Sequence, residues 1–155
     1  MRKMWRKLFT TSAMTFMLCM TWLVITSEAQ AERFVDNGNG TVTDTDTDTV
    51  TGLMWTKSAN PLGELTWNET FTRFSSFSIS GIGGWRLPSI GEIDAIYHAM
   101  SGGHPFTDVQ STLYWSSETN VRFPDYAGTI NMSNGDWGNV SRHRAFGVWP
   151  VRASQ

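Results

Sequence analysis

The segment Trp85-Arg86-Leu87-Pro88-Ser89-Ile90-Gly91-Glu92-Ile93 constrains the fold of this chain more than any other stretch. Pro88 fixes its own φ and pushes Leu87 into extended backbone. Ser89 is suited to cap a following helix, and Glu92, three residues on, to close a capping box. Trp85 and Leu87 flank Arg86, so an extended chain turns the two apolar groups to one face and Arg86 to the other. The segment therefore predicts a strand end, a fixed bend and a helix start, with the apolar pair buried at the junction. It specifies architecture rather than chemistry.

The first residues read as a leader. Arg2, Lys3, Arg6 and Lys7 form a basic start, Leu8 to Thr26 is mostly apolar, and Ala29-Gln30-Ala31 is a small-residue cleavage site. This is the pattern of a secretory signal peptide over 1–31, cleaved after Ala31, with a folded domain over 32–155. The plain alternative is a retained anchor, because the apolar run is close to a bilayer-spanning length. Cys19 is the only cysteine and falls in the leader. The mature chain would then have no thiol chemistry, no disulfide and no cysteine metal site, and packing must hold it together.

Charge shifts with that cleavage. The 155-residue chain has 12 Lys+Arg and 14 Asp+Glu, and the leader takes four bases and one acid, leaving an excess of five acids. An acidic domain is a poor nonspecific partner for nucleic acid or anionic lipid. No nucleic-acid partner is expected, and no membrane partner once the leader is gone.

Along the rest of the chain, Phe34-Val35, Thr41-Val42-Thr43 and Leu53-Met54-Trp55 read as short strands. Asp36-Asn37-Gly38-Asn39-Gly40 reads as the turn between the first two. Thr66-Trp67-Asn68-Glu69 is a second capping box, and Trp67, Phe71 and Phe74 predict a helix over 67–77. Ile90, Ile93, Tyr97 and Met100 predict the buried stripe of a second helix over 90–100, ended by Gly102-Gly103. Leu113 to Ser116, Tyr126 to Met132, Trp137 to Val140 and Phe146 to Arg152 read as strands, with Ser133-Asn134-Gly135-Asp136 as a hairpin turn. Pro150 suits an edge or a bulge. Strands, two helices, then strands predict an α+β fold with segregated helices.

Several of these pieces resemble a known family. Arg33-Phe34-Val35-Asp36-Asn37-Gly38-Asn39-Gly40-Thr41-Val42-Thr43-Asp44, Thr51-Gly52-Leu53-Met54-Trp55, Leu65-Thr66-Trp67, Trp85-Arg86-Leu87-Pro88-Ser89, Tyr114-Trp115-Ser116-Ser117 and Val148-Trp149-Pro150-Val151-Arg152 occur in order. The set is similar to the C-terminal domain of the Legionella collagen-like adhesin, long catalogued as a domain of unknown function. The resemblance implies a C-type-lectin-like fold, with two helices packed on twisted antiparallel sheets, related in pattern to the sulfatase-modifying family. It implies an exported bacterial protein at the cell surface, outside the cell or in the periplasm, and its best-studied members bind sulfated polysaccharides as trimers. The acidic balance departs from that use. The cysteine-dependent activity of the sulfatase-modifying relatives does not transfer to a mature chain without cysteine. Thr45 to Asp48 looks like an insertion relative to the family.

Candidate sites follow from residue chemistry. Asp44, Asp46 and Asp48 alternate with Thr, so a strand would place their carboxylates on one face, and Asp36 and Asn39 could add oxygen ligands for calcium. The spacing does not complete an EF-hand, and a solvated acidic edge is the alternative. Arg142-His143-Arg144 could clamp an anion or could be a solvated loop. Trp115, Tyr126 and Trp137 could stack on sugar rings or pack in the core. Glu118 to Tyr126 reads as a long surface loop carrying Asn120, Arg122 and Asp125. The expected ligand face is Asn120, Arg122, Asn134, Asp136, Trp137, Arg142, His143 and Arg144. No coherent catalytic set is present, since His98, His104 and His143 lack metal-ligand spacing and Ser116-Ser117 lacks nucleophile-elbow glycines. The reading is a non-catalytic, adhesin-like recognition domain for a glycan or surface protein, able to form homo-oligomers. The alternative is an assembly subunit of an envelope or extracellular complex; an uncharacterised hydrolase is a third.

Overall fold

The computed structural model describes residues 33–45 and 52–154. The leader, Asp46 and Asp48 lie outside the described residues. The elements run β1 (Phe34–Asp36), β2 (Thr41–Asp44), β3 (Leu53–Thr56), β4 (Glu64–Thr66), α1 (Trp67–Phe74), α2 (Ile90–Ala99), a short 3₁₀ turn (Met100–Gly102), β5 (Leu113–Thr119), β6 (Tyr126–Asn131), β7 (Trp137–Ser141), β8 (Ala145–Gly147) and β9 (Val151–Ala153). They form two sheets, ordered β1-β2-β3-β9 and β4-β8-β5-β6-β7. Every strand pair is antiparallel except β5 with β8, which are parallel. The expected α+β architecture with two helices is present. Among the described residues no helix is long and apolar enough to cross a membrane.

The closing segment departs from expectation in an informative way. One strand over 146–152 was expected, but β8 ends in the five-stranded sheet and β9 begins in the four-stranded one. Val148, Trp149 and Pro150 cross between them, all buried. Pro150 has no N–H to continue a ladder, and its carbonyl instead accepts the Thr56 amide at 3.1 Å. Trp149 stacks edge-on against Trp55 and Phe106 in a core shared with Val42, Ile93, Ile96 and Ile130. A second core gathers Trp67, Phe74, Trp85, Leu87, Trp115, Phe146 and Val148. The crossing thus anchors one residue in each core and ties the two sheets together.

The Trp85–Ile93 junction folds largely as its sequence requires. Trp85 and Leu87 are 4% and 1% exposed, while Arg86 faces solvent. The Ser89 hydroxyl accepts the Glu92 amide at 3.1 Å, and Glu92 Oε2 accepts the Ser89 amide at 2.8 Å, completing the capping box. Arg86 grips the same carboxylate through two hydrogen bonds of 2.8 Å. The expected strand end is smaller than predicted. Only Arg86 pairs, exchanging two backbone bonds with Val151, because Pro88 and the bend leave no further residue in register.

The helices are shorter or rotated relative to their sequence patterns. α1 stops at Phe74 rather than Phe77. The Ser75 hydroxyl donates to the Thr72 carbonyl at 2.7 Å, a local bond that competes with helix continuation, and Phe77 instead lies beside Trp85. In α2, Ile93 and Ile96 are the fully buried pair, and Tyr97 and Met100 are half-buried. Tyr97 packs on Gly135, where a Cβ would lie 2.4 Å from the ring and where φ is +79°. Glycine at that turn therefore satisfies both the backbone and the helix that covers it.

Candidate functional site

Strands β6 and β7 pair so that Gly128 lies opposite Asn139 and Ile130 opposite Trp137. Alternation puts Ile130, Gly128 and Tyr126 of β6, with Trp137, Asn139 and Ser141 of β7, on one face of the sheet. α2 packs on the Ile130 end of that face. The remainder stays open as a cleft of about 400 Å³, lined by Ile90, Gly128, Trp137, Gly138, Asn139 and the run Glu118 to Arg122.

Gly128 makes the cleft floor. A Cβ there would meet Ser116 Oγ at 2.5 Å and Ile90 Cδ1 at 3.3 Å, so only glycine lets β5, β6 and the start of α2 approach this closely. Glu118 forms one wall. Its Oε1 accepts the Ile90 amide at 3.1 Å, at the first turn of α2, where a carboxylate is favoured. Beside it, the Ser117 amide donates to the Pro88 carbonyl at 2.8 Å. The folding junction and the cleft are therefore joined directly.

The start of loop 120–125, Asn120 to Arg122, is the second wall. Asn120 Oδ1 accepts the amides of Arg122 and Phe123 at 2.9 and 3.0 Å. This is an Asx-type turn, so Asn120 braces the loop. Arg122 is exposed and has no ion-pair partner among the described residues. Trp137 stands on the opposite wall, 68% exposed.

The structure divides the expected ligand face into three places. Asn120, Arg122 and Trp137 meet at the cleft. Asn134 and Asp136 hold the β6–β7 turn against each other, with Asn134 Nδ2 donating to Asp136 Oδ2 at 2.7 Å and the Asp136 amide donating to Asn134 Oδ1 at 3.1 Å. Arg142, His143 and Arg144 occupy the β7–β8 turn. There Arg142 lies over the Trp67 ring at 3.9 Å and donates to the Pro124 carbonyl and to Asn68 Oδ1. Its Nη1 and Nη2 are committed to holding elements together, while its Nε is buried with no hydrogen-bond partner among the described residues. His143 and Arg144 remain exposed, with Arg144 5.1 Å from the Phe146 ring centroid. Trp115 is fully buried and donates its indole N–H to the Leu65 carbonyl, as the core reading of that residue expects.

The described members of the calcium set are also committed elsewhere. Asp44 is almost fully buried and ion-paired with Arg33 through two bonds of 3.0 Å. Asp36 accepts Lys57 Nζ at 2.7 Å and the Gly38 amide, and these two bonds hold its carboxyl below the usual aspartate value. Asn39 Oδ1 accepts both the amide and the hydroxyl of Thr41. Register separates the two acids, Asp36 pairing with Val42 and Asp44 with Phe34. Among the described residues no three metal-binding side chains gather.

Residue-by-residue reading overlooked Asn139, Gly128 and Ile90. Two signals could have found them. Asn139 is two residues from Trp137 and so shares its face on a strand, and a glycine in mid-strand marks a close approach.

Residues 40–152 match the family model of the Lcl C-terminal domain, and the chain belongs to that family. No curated protein matches the chain. The matched region contains every residue that lines the cleft.

Proposed function

We propose that this member of the Lcl C-terminal domain family is an exported, non-catalytic recognition domain that seats a glycan in the cleft between loop 118–122 and β7. The observation that carries the reading is Trp137: a large aromatic held 68% exposed on a cleft wall in a chain whose other described tryptophans are buried. Its ring offers a flat apolar face for a pyranose. Asn139, Thr119, Glu118 and Arg122 surround that face with donors and acceptors for hydroxyls. Export rests on the leader-like first residues. We read the two sheets with their segregated helices as C-type-lectin-like, in keeping with the family resemblance.

The second reading, an assembly subunit, is favoured by one feature: β7 is an edge strand with one side of its backbone open for pairing. A glycan array probed with the labelled domain over 32–155 separates the two. The recognition reading expects binding to a discrete set of glycans. No glycan signal, together with purification as a defined oligomer, would favour assembly instead.

A further inference from the structure

The edges of the two sheets are not alike. β1, β4 and β9 are three residues each. Asp36 in β1 is held by Lys57, β4 begins at Glu64, and β9 contains Arg152 and is covered by the backbone bonds between Val151 and Arg86. Shortness, charge and cover are how edges are protected from further pairing. β7 has none of these. It runs five residues, Trp137-Gly138-Asn139-Val140-Ser141, without charge, proline or bulge, in unbroken register with β6.

The outer backbone of β7 is open. The Asp136 carbonyl accepts the Asn131 amide, and the Arg142 amide donates to the Asp125 carbonyl, so both flanking residues face β6. Alternation then turns the N–H and C=O groups of Trp137, Asn139 and Ser141 away from β6. Of these outward groups, only the Ser141 carbonyl has a backbone partner among the described residues, the Arg144 amide. An antiparallel two-fold axis at Asn139 matches the outward groups to themselves. Asn139 falls opposite Asn139 of the second copy, and Trp137 opposite its Ser141, for about six backbone hydrogen bonds. The same register sets Asp136 opposite Arg142 of the second copy, and Asn134 and Gly135 opposite its Arg144 and His143. No like charges are opposed, which would weaken the pairing. This match of groups and charges under a two-fold axis selects a second copy as the occupant.

We infer that β7 pairs with β7 of a second copy of this chain, antiparallel about Asn139, joining the two five-stranded sheets into one. Trp137, Asn139 and Ser141 share the cleft face, so each Trp137 gains Ser141 and Asn139 of the second copy as neighbours. Ser141 is small, and the Trp137 ring keeps a free face. The two indoles then lie about 14 Å apart, four residues of strand at about 3.4 Å each. Self-pairing rests on the same open edge as the assembly reading, names its partner, and leaves both clefts available to a glycan.

Sedimentation velocity of the domain over 32–155 is expected to show a concentration-dependent dimer. That domain has no cysteine, so Asn139→Cys supplies a single thiol at the two-fold axis. Directly opposed strand residues have Cα atoms about 5.5 Å apart, within disulfide reach. Mild oxidation is expected to link this variant as a dimer. Trp137→Cys, whose two copies lie about 14 Å apart, is expected to link at least about tenfold more slowly. Ser141→Pro removes an outward N–H at a residue that does not line the cleft, and an edge strand tolerates proline there. It is expected to weaken dimerisation about tenfold, through two lost hydrogen bonds per dimer, with unchanged circular dichroism. A domain that stays monomeric at millimolar concentration, or equal linking of the two cysteine variants, would overturn the inference. So would a dimer that folded Ser141→Pro leaves unchanged. A monomer that binds glycans on the array would overturn self-pairing alone, and a dimer without glycan signal would overturn the glycan reading alone.

Discussion

The Trp85–Glu92 junction and the neighbouring cleft use the same residue types in opposite ways. At the junction Trp85 is buried, with its indole N–H on the Ile82 carbonyl, and Arg86 is locked on Glu92. In the cleft Trp137 is exposed and Arg122 has no ion-pair partner among the described residues. Glu92 is held by an amide and a guanidinium, whereas Glu118 accepts one amide, that of Ile90. The two regions touch through that bond and through Ser117 on Pro88. Identical chemistry serves folding where partners close around it and is left available where they do not. The rigid junction fixes one wall of the open cleft.

Substitutions can break this contrast, beginning with the largest effect. Trp115→Ala, within the buried set, is expected to lose about 3–5 kcal/mol in chemical denaturation, through lost contacts and a cavity. Gly128→Val introduces a side chain where Ser116 and Ile90 already sit. It is expected to lose about 1–3 kcal/mol by overpacking, and to abolish ligand binding by raising the cleft floor. Ser89→Ala removes one half of the α2 capping box and should cost about 1 kcal/mol.

Acid sharpens the same contrast. Burial raises the Glu92 carboxyl, but the Arg86 guanidinium and the Ser89 amide outweigh it and leave it below its ordinary value of 4.5. A lowered folded-state value stabilises the fold above the unfolded-state range, and that stability is lost as pH falls through the folded value. Thermal melts of the wild type should therefore decline on acidification below about pH 4.5, and Glu92→Gln should flatten that decline. The smallest effect is expected at the cleft. Trp137→Ala should change stability by no more than about 0.5 kcal/mol, because the ring is largely in water already.

How much was legible in the sequence follows the same division. The junction could be read because each step is local: Pro88 restricts Leu87, Ser89 and Glu92 are three apart, and Trp85 and Leu87 alternate about Arg86. Both helix starts were legible for that reason. The split of the closing segment into β8 and β9 was not, because Val148 to Pro150 look like strand until two sheets compete for them. The site was half legible. Trp137, Arg122 and Asn120 stand out by type, but the register that sets Gly128 opposite Asn139 is a long-range fact. Arg142 misleads for the same reason: nothing near it in sequence announces the Trp67 ring that it covers.

The central claim is that Trp137 is exposed for a ligand rather than for the fold, and one measurement addresses it most directly. Calorimetric titration of the wild type and of Trp137→Ala with a glycan selected on the array compares affinity at matched stability. The account predicts at least about tenfold weaker binding by the variant, the loss of one aromatic stacking surface, with an unchanged melting temperature. Equal affinity in the two proteins would contradict it and move the site away from this cleft.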